Sequence, residues 1–282
     1  MQVQMLQYVI MNGILLVNHF LNGEKFNELH SHLVKSAKKQ NIDLVIKTNL
    51  ELANDEVNAD FVLLWDKDIN LARRIEKGGV PVFNSSSSVA MCDDKARTYI
   101  ELSGIVPQPK TLVAPKTYFD VDMSEFVDNA IACLGLPLVF KECFGSFGEQ
   151  VYLCKTREDV MSHITAKPFI MQEFISDSTG SDTRIEIVGG KFVSAVKRNN
   201  PADFRSNVTN GGAMTPVVPD NEMIETALKA CEVLGLTFGG VDILDNGMVC
   251  EVNSNAHIIN IMNATGIDIA PIIFDEVKEQ LK

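Results

Sequence analysis

The sequence predicts a mixed fold in two parts, a small α/β lobe followed by a longer α+β region. Two observations carry this. Over the first ninety or so of 282 residues, short apolar runs alternate with stretches of helical spacing, the pattern of a parallel sheet covered on both faces. From residue 138 onward several apolar runs follow one another through short turns, which implies antiparallel pairing.

Gly13 to Val17 is a short apolar run consistent with a buried strand. Phe26, Leu29, Leu33, Val34 and Ala37 then mark one face of a helix ending near Gln40. Strands are expected at 44–46, 61–65 and 80–83, with a polar helix near 68–77. This lobe has no G-x-G-x-x-G and no G-x-x-x-x-G-K, so it is not expected to hold a nucleotide in either familiar manner. The serine run 85–88 leads straight into a helical stretch and reads as loop and N-cap chemistry, closed by Pro107 and Pro109. Further strands are expected at 138–141, 151–154, 169–172, 185–188, 192–196, 240–244 and 248–252, with a helix over 222–234. The first eleven residues are assigned no role.

Apolar residues make up 46% of the chain and charged residues 22%, which excludes disorder as the default. A formal net charge of −12 argues against non-specific binding to nucleic acid or to an anionic membrane. Arg184, Lys191, Lys197, Arg198 and Arg205 nevertheless cluster against only Glu186 and Asp203. That cluster is either a solvated face or an anion site. Six scattered cysteines without a C-x-x-C pair read as buried thiols in a reducing compartment. With no Lys or Arg before Lys25 and only a short apolar segment near the start, a secretory signal and a membrane span are not expected, so a cytoplasmic protein is.

The strongest local signal runs from Val241 to Asn253. Asn246-Gly247 between alternating strands marks a hairpin. With those two as the loop, counting outward sets Asp242 opposite Glu251, and Asn253 shares the face of Glu251. Opposed carboxylates repel unless something positive lies between them. Asp, Glu and Asn are suitable ligands for magnesium, although a solvated face or an arginine partner would also relieve the repulsion. A second signal is Lys141 followed by the glycine-containing loop Gly145 to Gly148, which could fold over phosphates or be an ordinary hairpin. A third is Gln172-Glu173-Phe174-Ile175, an apolar strand that turns polar at its end. It could present a carboxylate to a nucleoside or be a plain strand terminus.

Taken in order, these pieces resemble the ATP-grasp superfamily, and more closely its RimK-type α-L-glutamate ligase branch. The resemblance covers roughly residues 90 to 275. It is carried by Asp94-Lys95, Phe140-Lys141 with the 145–148 loop, the 172–175 segment, Asp182-Thr183-Arg184, Asp203-Phe204-Arg205-Ser206-Asn207, Gly240 to Leu244, Glu251-Val252-Asn253 and Thr265 to Ala270. It implies a small Rossmann-like, pre-ATP-grasp lobe (1–92) followed by a two-subdomain ATP-grasp fold, central (93–178) and C-terminal with the metal site (179–282). By the same resemblance Lys95 and Lys141 contact ATP phosphates, with Ser146 and Gly148 in the covering loop. Glu173 and Phe174 line the adenine pocket, Asp182 helps hold the nucleotide, and Arg205, Ser206 and Asn207 lie at the phosphates. Asp242, Glu251 and Asn253 match the family's magnesium ligands, with manganese as a substitute.

The implied reaction is ATP-dependent joining of a carboxylate acceptor, such as a metabolite, peptide or protein tail, to an amine such as glutamate, through an acyl phosphate. Arg205, then Arg184 and Arg198, are the candidates for stabilising its anionic intermediate, and the last two could equally bind the acceptor. Relatives of this type suggest a homo-oligomer. A non-catalytic ATP-binding regulator of the same fold is the alternative. One departure concerns the acceptor: where glutamate-adding relatives usually have a Ser-Pro-Gly-like turn after E-V-N, this chain has Ser254-Asn255-Ala256-His257, so His257 either touches the acceptor or simply packs.

Overall fold

The computed structural model describes residues 10–21, 23–145, 148–206 and 212–282. They form two compact units, 10–89 together with 255–282, and 90–254.

In the first unit, strands β1 (Met11–Val17), β2 (Ile42–Thr48), β3 (Phe61–Trp65) and β4 (Val82–Phe83) form a parallel sheet in the order β2-β1-β3-β4. All five residues of β3 are buried, as expected of an inner parallel strand covered on both faces. Helix α1 (Glu24–Lys39) buries Leu29, Leu33 and Ala37, the apolar stripe expected from its spacing. Helix α2 (Ile69–Lys77) starts where the Asp68 side chain accepts from the Leu71 N–H at 3.0 Å, and its Leu71, Ala72 and Ile75 pack with Val62 and Leu64 of β3.

Helices α3 (Ser86–Asp93) and α4 (Lys95–Leu102) follow, and Asp94 caps α4 through the Ala96 and Arg97 N–H groups. The second unit holds two antiparallel sheets. One has the order β5-β8-β6-β7, from β5 (Thr111–Val113), β6 (Leu138–Glu142), β7 (Val151–Cys154) and β8 (Phe169–Glu173). Helices α5 (Ser124–Leu134) and α6 (Arg157–His163) belong to its core, which includes Val127, Ala130, Phe140, Val160, Phe169 and Met171. The other has the order β11-β10-β9-β12-β13, from β9 (Ser181–Val188), β10 (Lys191–Asn199), β11 (Ala213–Pro216), β12 (Phe238–Ile243) and β13 (Val249–Asn253). Helix α7 (Asn221–Val233) packs Ala227, Ala230 and Cys231 against Ile185, Ile187, Val241 and Val252.

That packing consumes one face of the five-stranded sheet. Because successive side chains alternate, the opposite face carries Asp182, Arg184, Glu186, Arg198, Asp242, Glu251 and Asn253. The remaining helices, α8 (Ile258–Thr265) and α9 (Ala270–Gln280), belong to the first unit, although they follow the last strand of the second. His32 Nε2 lies 2.8 Å from Asp268 Oδ1, and Gln40 donates to the Pro271 carbonyl at 2.7 Å, so within this unit the tail packs on α1.

Candidate active site

The hairpin that presents the acidic face differs from the one counted in the sequence. Its loop has three residues, Asp245 to Gly247, with Leu244 N–H donating to Met248 O at 2.9 Å and Gly247 N–H donating to Leu244 O at 2.9 Å. Gly247 takes φ +82°, the left-handed position such a loop requires. Taken alone, this loop would shift the register by one residue. A β-bulge restores it: Ile243 pairs with Val249 but Asp242 pairs with Glu251, leaving Cys250 as the extra residue. The two irregularities cancel, so Asp242 does stand opposite Glu251, and Asn253 follows opposite Gly240.

Arg184 lies directly across from Asp242 on the other side of β12. Its Nε and Nη2 donate to the two Asp242 oxygens at 2.7 and 2.8 Å, a bidentate pair. Arg198 bridges two carboxylates, with Nη2 at 2.5 Å from Asp182 and 2.8 Å from Asp242. The Ser206 hydroxyl also donates to Asp182. Burial alone would raise the Asp242 carboxyl, but Arg184 and Arg198 overcome it and hold Asp242 below the usual carboxylate range. For Asp182, burial outweighs Arg198 and, with Asp242 adding to it, moves the carboxyl upward.

Glu186 continues the same row, 3% exposed, opposite Gly240 on one side and Ser194 on the other. Its Oε1 and the Ser194 hydroxyl are both buried without a hydrogen-bond partner. Burial pushes the Glu186 carboxyl up to about 7; Arg184 pulls it down and Asp242 pushes it further up. The sequence reading gave Glu186 no role, although its i, i+2, i+4 spacing with Asp182 and Arg184 on a strand was the available signal.

A cleft enclosing about 920 Å³, its solvent-facing part included, lies between the two sheets of this unit. Of the candidate residues, Lys95, Lys141, Gly148, Glu173, Phe174, Asp182, Arg198, Arg205, Ser206, Asp242 and Glu251 all line it. Arg184 and Asn253 are not among the lining residues, and Ser146 and Asn207 lie outside the described residues. Arg205 is held by Asp203 at 2.7 Å and donates to the Gly148 carbonyl at 2.6 Å, which ties the 203–206 segment to the glycine loop. Glu173 accepts from the Lys110 N–H at 2.6 Å, so one of its oxygens is already used. His257 donates to the Lys25 carbonyl at 3.3 Å, within the first unit.

Lys141 stands apart from the arginines. It is buried, yet its ammonium meets only neutral partners: Gln172 Oε1 at 2.7 Å and, weakly, Cys250 Sγ at 3.8 Å. Among the described residues no carboxylate pairs with it. A buried cation that faces a cleft without a carboxylate partner has charge with which it can receive an anion.

The Asp242, Glu251 and Asn253 set also suits a hard divalent cation. Glu251 makes no hydrogen bond or ion pair among the described residues and faces the cleft. Asn253 turns its Nδ2 toward Asp242 at 3.4 Å, which leaves its carbonyl oxygen available. Asp242 Oδ1 accepts only from Arg184 Nε, so it keeps acceptor capacity. Three oxygen donors on one hairpin face fit magnesium.

The family model of the RimK-like ATP-grasp domain matches residues 92–277. The chain belongs to this family. It is accordingly an ATP-grasp ligase, of the class that forms amide bonds at the expense of ATP. Among proteins similar to it, the probable alpha-L-glutamate ligase of Maridesulfovibrio salexigens is 35% identical over 74% of this chain and 71% of its own length. A protein of Mycoplasma genitalium, MG012, is 30% identical over 84% of this chain and 88% of its own. The crystal structure of a RimK domain ATP-grasp protein from Sphaerobacter thermophilus superposes with a TM-score of 0.72 at 18% identity. It covers 94% of this chain and 98% of that one, which establishes the ATP-grasp fold. Among the described residues no helix is long and apolar enough to cross a membrane.

Proposed function

We propose that this ATP-grasp ligase transfers the γ-phosphoryl group of ATP to an acceptor carboxylate and joins the resulting acyl phosphate to an amine, with glutamate the first candidate amino acid. The observation that carries the reading is Lys141, a buried ammonium with only neutral partners, aimed into a cleft whose far wall bears Asp242 and Glu251.

The carboxylate oxygen attacks the γ-phosphorus and ADP leaves. The amine nitrogen then attacks the acyl carbon, phosphate leaves, and the amine gives up a proton. Phosphoryl transfer of this kind asks mainly for positioning and charge neutralisation. Lys141 and Lys95 meet phosphate oxygens from the first wall. Arg205, fastened to the Gly148 carbonyl, brings a guanidinium beside the glycine loop, where it can follow the loop over the nucleotide. Apolar Val139, Val151, Phe174 and Leu244 give an adenine ring its surroundings. Arg184 and Arg198 hold Asp242 through Nε and Nη2, and their Nη1 donors remain for the anionic intermediate or the acceptor carboxylate. Asp242, Glu251 and Asn253 would hold magnesium, or manganese in its place, and that cation supplies charge neutralisation at the phosphate oxygens.

The proposed subdomains are 93–178 and 179–282, and the cleft lining drawn from both, Lys141 to Ile175 and Asp182 to Glu251, supports that division. The acceptor, whether metabolite, peptide or protein tail, belongs to the same reading, as do a homo-oligomeric assembly and a cytoplasmic setting in which the six free thiols stay reduced.

ADP release from Mg-ATP, with pooled amino acids and acidic peptides as substrates and mass detection of products, tests the reading. Acceptor-dependent ADP and a product equal to acceptor plus amine minus water are expected. Glu251→Gln should lower turnover by at least about 100-fold with an unchanged fold. Absence of ATP binding would sink the reading, and ATP binding without turnover under any acceptor would favour a regulator.

A further inference from the structure

Lys141 does not hold its position alone. The Pro109 carbonyl can only accept, and the Thr111 hydroxyl donates to it at 2.9 Å. The Thr111 oxygen therefore presents lone pairs to its cross-strand partner Gln172, whose Nε2 donates to it at 2.8 Å. That donation fixes which end of the Gln172 amide faces which way. Its carbonyl oxygen is turned to the Lys141 ammonium at 2.7 Å. Thr111, Gln172 and Lys141 are all buried, which limits the competition of water for these bonds. Three strands contribute, β5, β8 and β6, and the direction of every donor is set from the Pro109 end.

From this geometry we infer that Thr111 is a positioning residue for nucleotide phosphates. It touches no ligand itself. It locks the Gln172 amide in the one orientation that attracts the ammonium, and so holds the Lys141 charge in the cleft. Reversing that amide would set its NH2 group against an ammonium, two donors facing each other. Gln172 is also suited to its place because it is neutral: it orients Lys141 without cancelling the charge that a polyphosphate needs. The inference rests on the reading of Lys141 as a phosphate contact.

Calorimetric titration of the full-length protein with ATP, ADP and adenosine separates the possibilities. Thr111→Val keeps the shape of the side chain but leaves the Gln172 amide without its acceptor. ATP and ADP should bind about tenfold more weakly, adenosine should be unaffected, and Thr111→Ser should restore wild-type affinity. Lys141→Met is the control for the underlying reading, and it should weaken ATP and ADP while sparing adenosine. If Lys141→Met weakens ATP but Thr111→Val does not, the positioning role is overturned and the phosphate reading stands. Equal losses for ATP and adenosine in Thr111→Val would mean that Thr111 only packs the strand, which also overturns it. No effect of Lys141→Met on ATP would overturn both. Should Thr111→Val fail to fold, Thr111→Ala asks the same question, because it too removes the acceptor of the Gln172 amide and should selectively weaken ATP and ADP. Unchanged ATP affinity in that variant would count against the inference.

Discussion

The two walls of the cleft handle positive charge in opposite ways. On the wall built from β6 and β8, Lys141 is held by an amide and approached by a thiol, so its charge remains to be offered. On the wall built from β9, β10 and β12, Arg184 and Arg198 are bound to Asp182 and Asp242 through short, direct pairs. On the proposed function the first wall supplies affinity and the second rigidity. A cation supported by dipoles costs desolvation energy but keeps its field, whereas a cation supported by carboxylates has already spent it. Side-chain type alone does not reveal which case applies; the partners do.

The largest expected effect breaks the second wall. Arg198→Ala removes the bridge between Asp182 and Asp242 and leaves two buried carboxylates with less compensation. Such losses cost about 3–5 kcal/mol, to be read as a lowered denaturant midpoint. A midpoint close to wild type would mean that the pairs are ornamental and that the contrast between the walls fails.

Next comes Glu186, the member of that wall with an oxygen left unpaired. Its folded carboxyl is raised from 4.5 to about 7, so the folded state holds a proton that the unfolded chain releases earlier. Its share of stability is present below about pH 4.5 and is lost as the pH climbs through about 7. Glu186→Gln should therefore stabilise the protein at pH 8, by on the order of 3 kcal/mol, and change little at pH 4.5. Chemical denaturation in EDTA at the two pH values checks this, and an equal effect at both would refute the sign. Smallest in stability is Arg205→Ala. Its partner Asp203 is partly exposed, so the loss should stay within about 1 kcal/mol. Turnover should nevertheless fall by about 100-fold if the guanidinium reaches the transferring phosphoryl group.

Much of the cleft was legible because the responsible patterns are local. The alternation in β12 and β13 set Asp242, Glu251 and Asn253 on one face, and the lysine before the glycine loop marked the opposite wall. Even so, the correct register came from a loop one residue too short and an unforeseen bulge at Cys250, two errors of opposite sign. Non-local pairing was less accessible. The commitment of Arg184 and Arg198 to carboxylates depends on strand order β10-β9-β12, which spacing does not encode. The Thr111–Gln172–Lys141 relay spans three strands and involves residue types that look unremarkable one at a time. The return of 255–282 to the first unit likewise follows from contacts such as His32 with Asp268, 236 residues apart.

The bulge at Cys250 also has a consequence for how this hairpin can change over evolutionary time. Eight residues separate Asp242 from Glu251, but a three-residue loop with a regular ladder needs only seven. The hairpin therefore carries one residue of slack. Losing Cys250 would straighten the ladder and still leave the two carboxylates face to face, while losing a residue from within the loop could be absorbed by the same straightening. The acidic pair is thus buffered against a length change that in an unbulged hairpin would turn one carboxylate to the other side of the sheet.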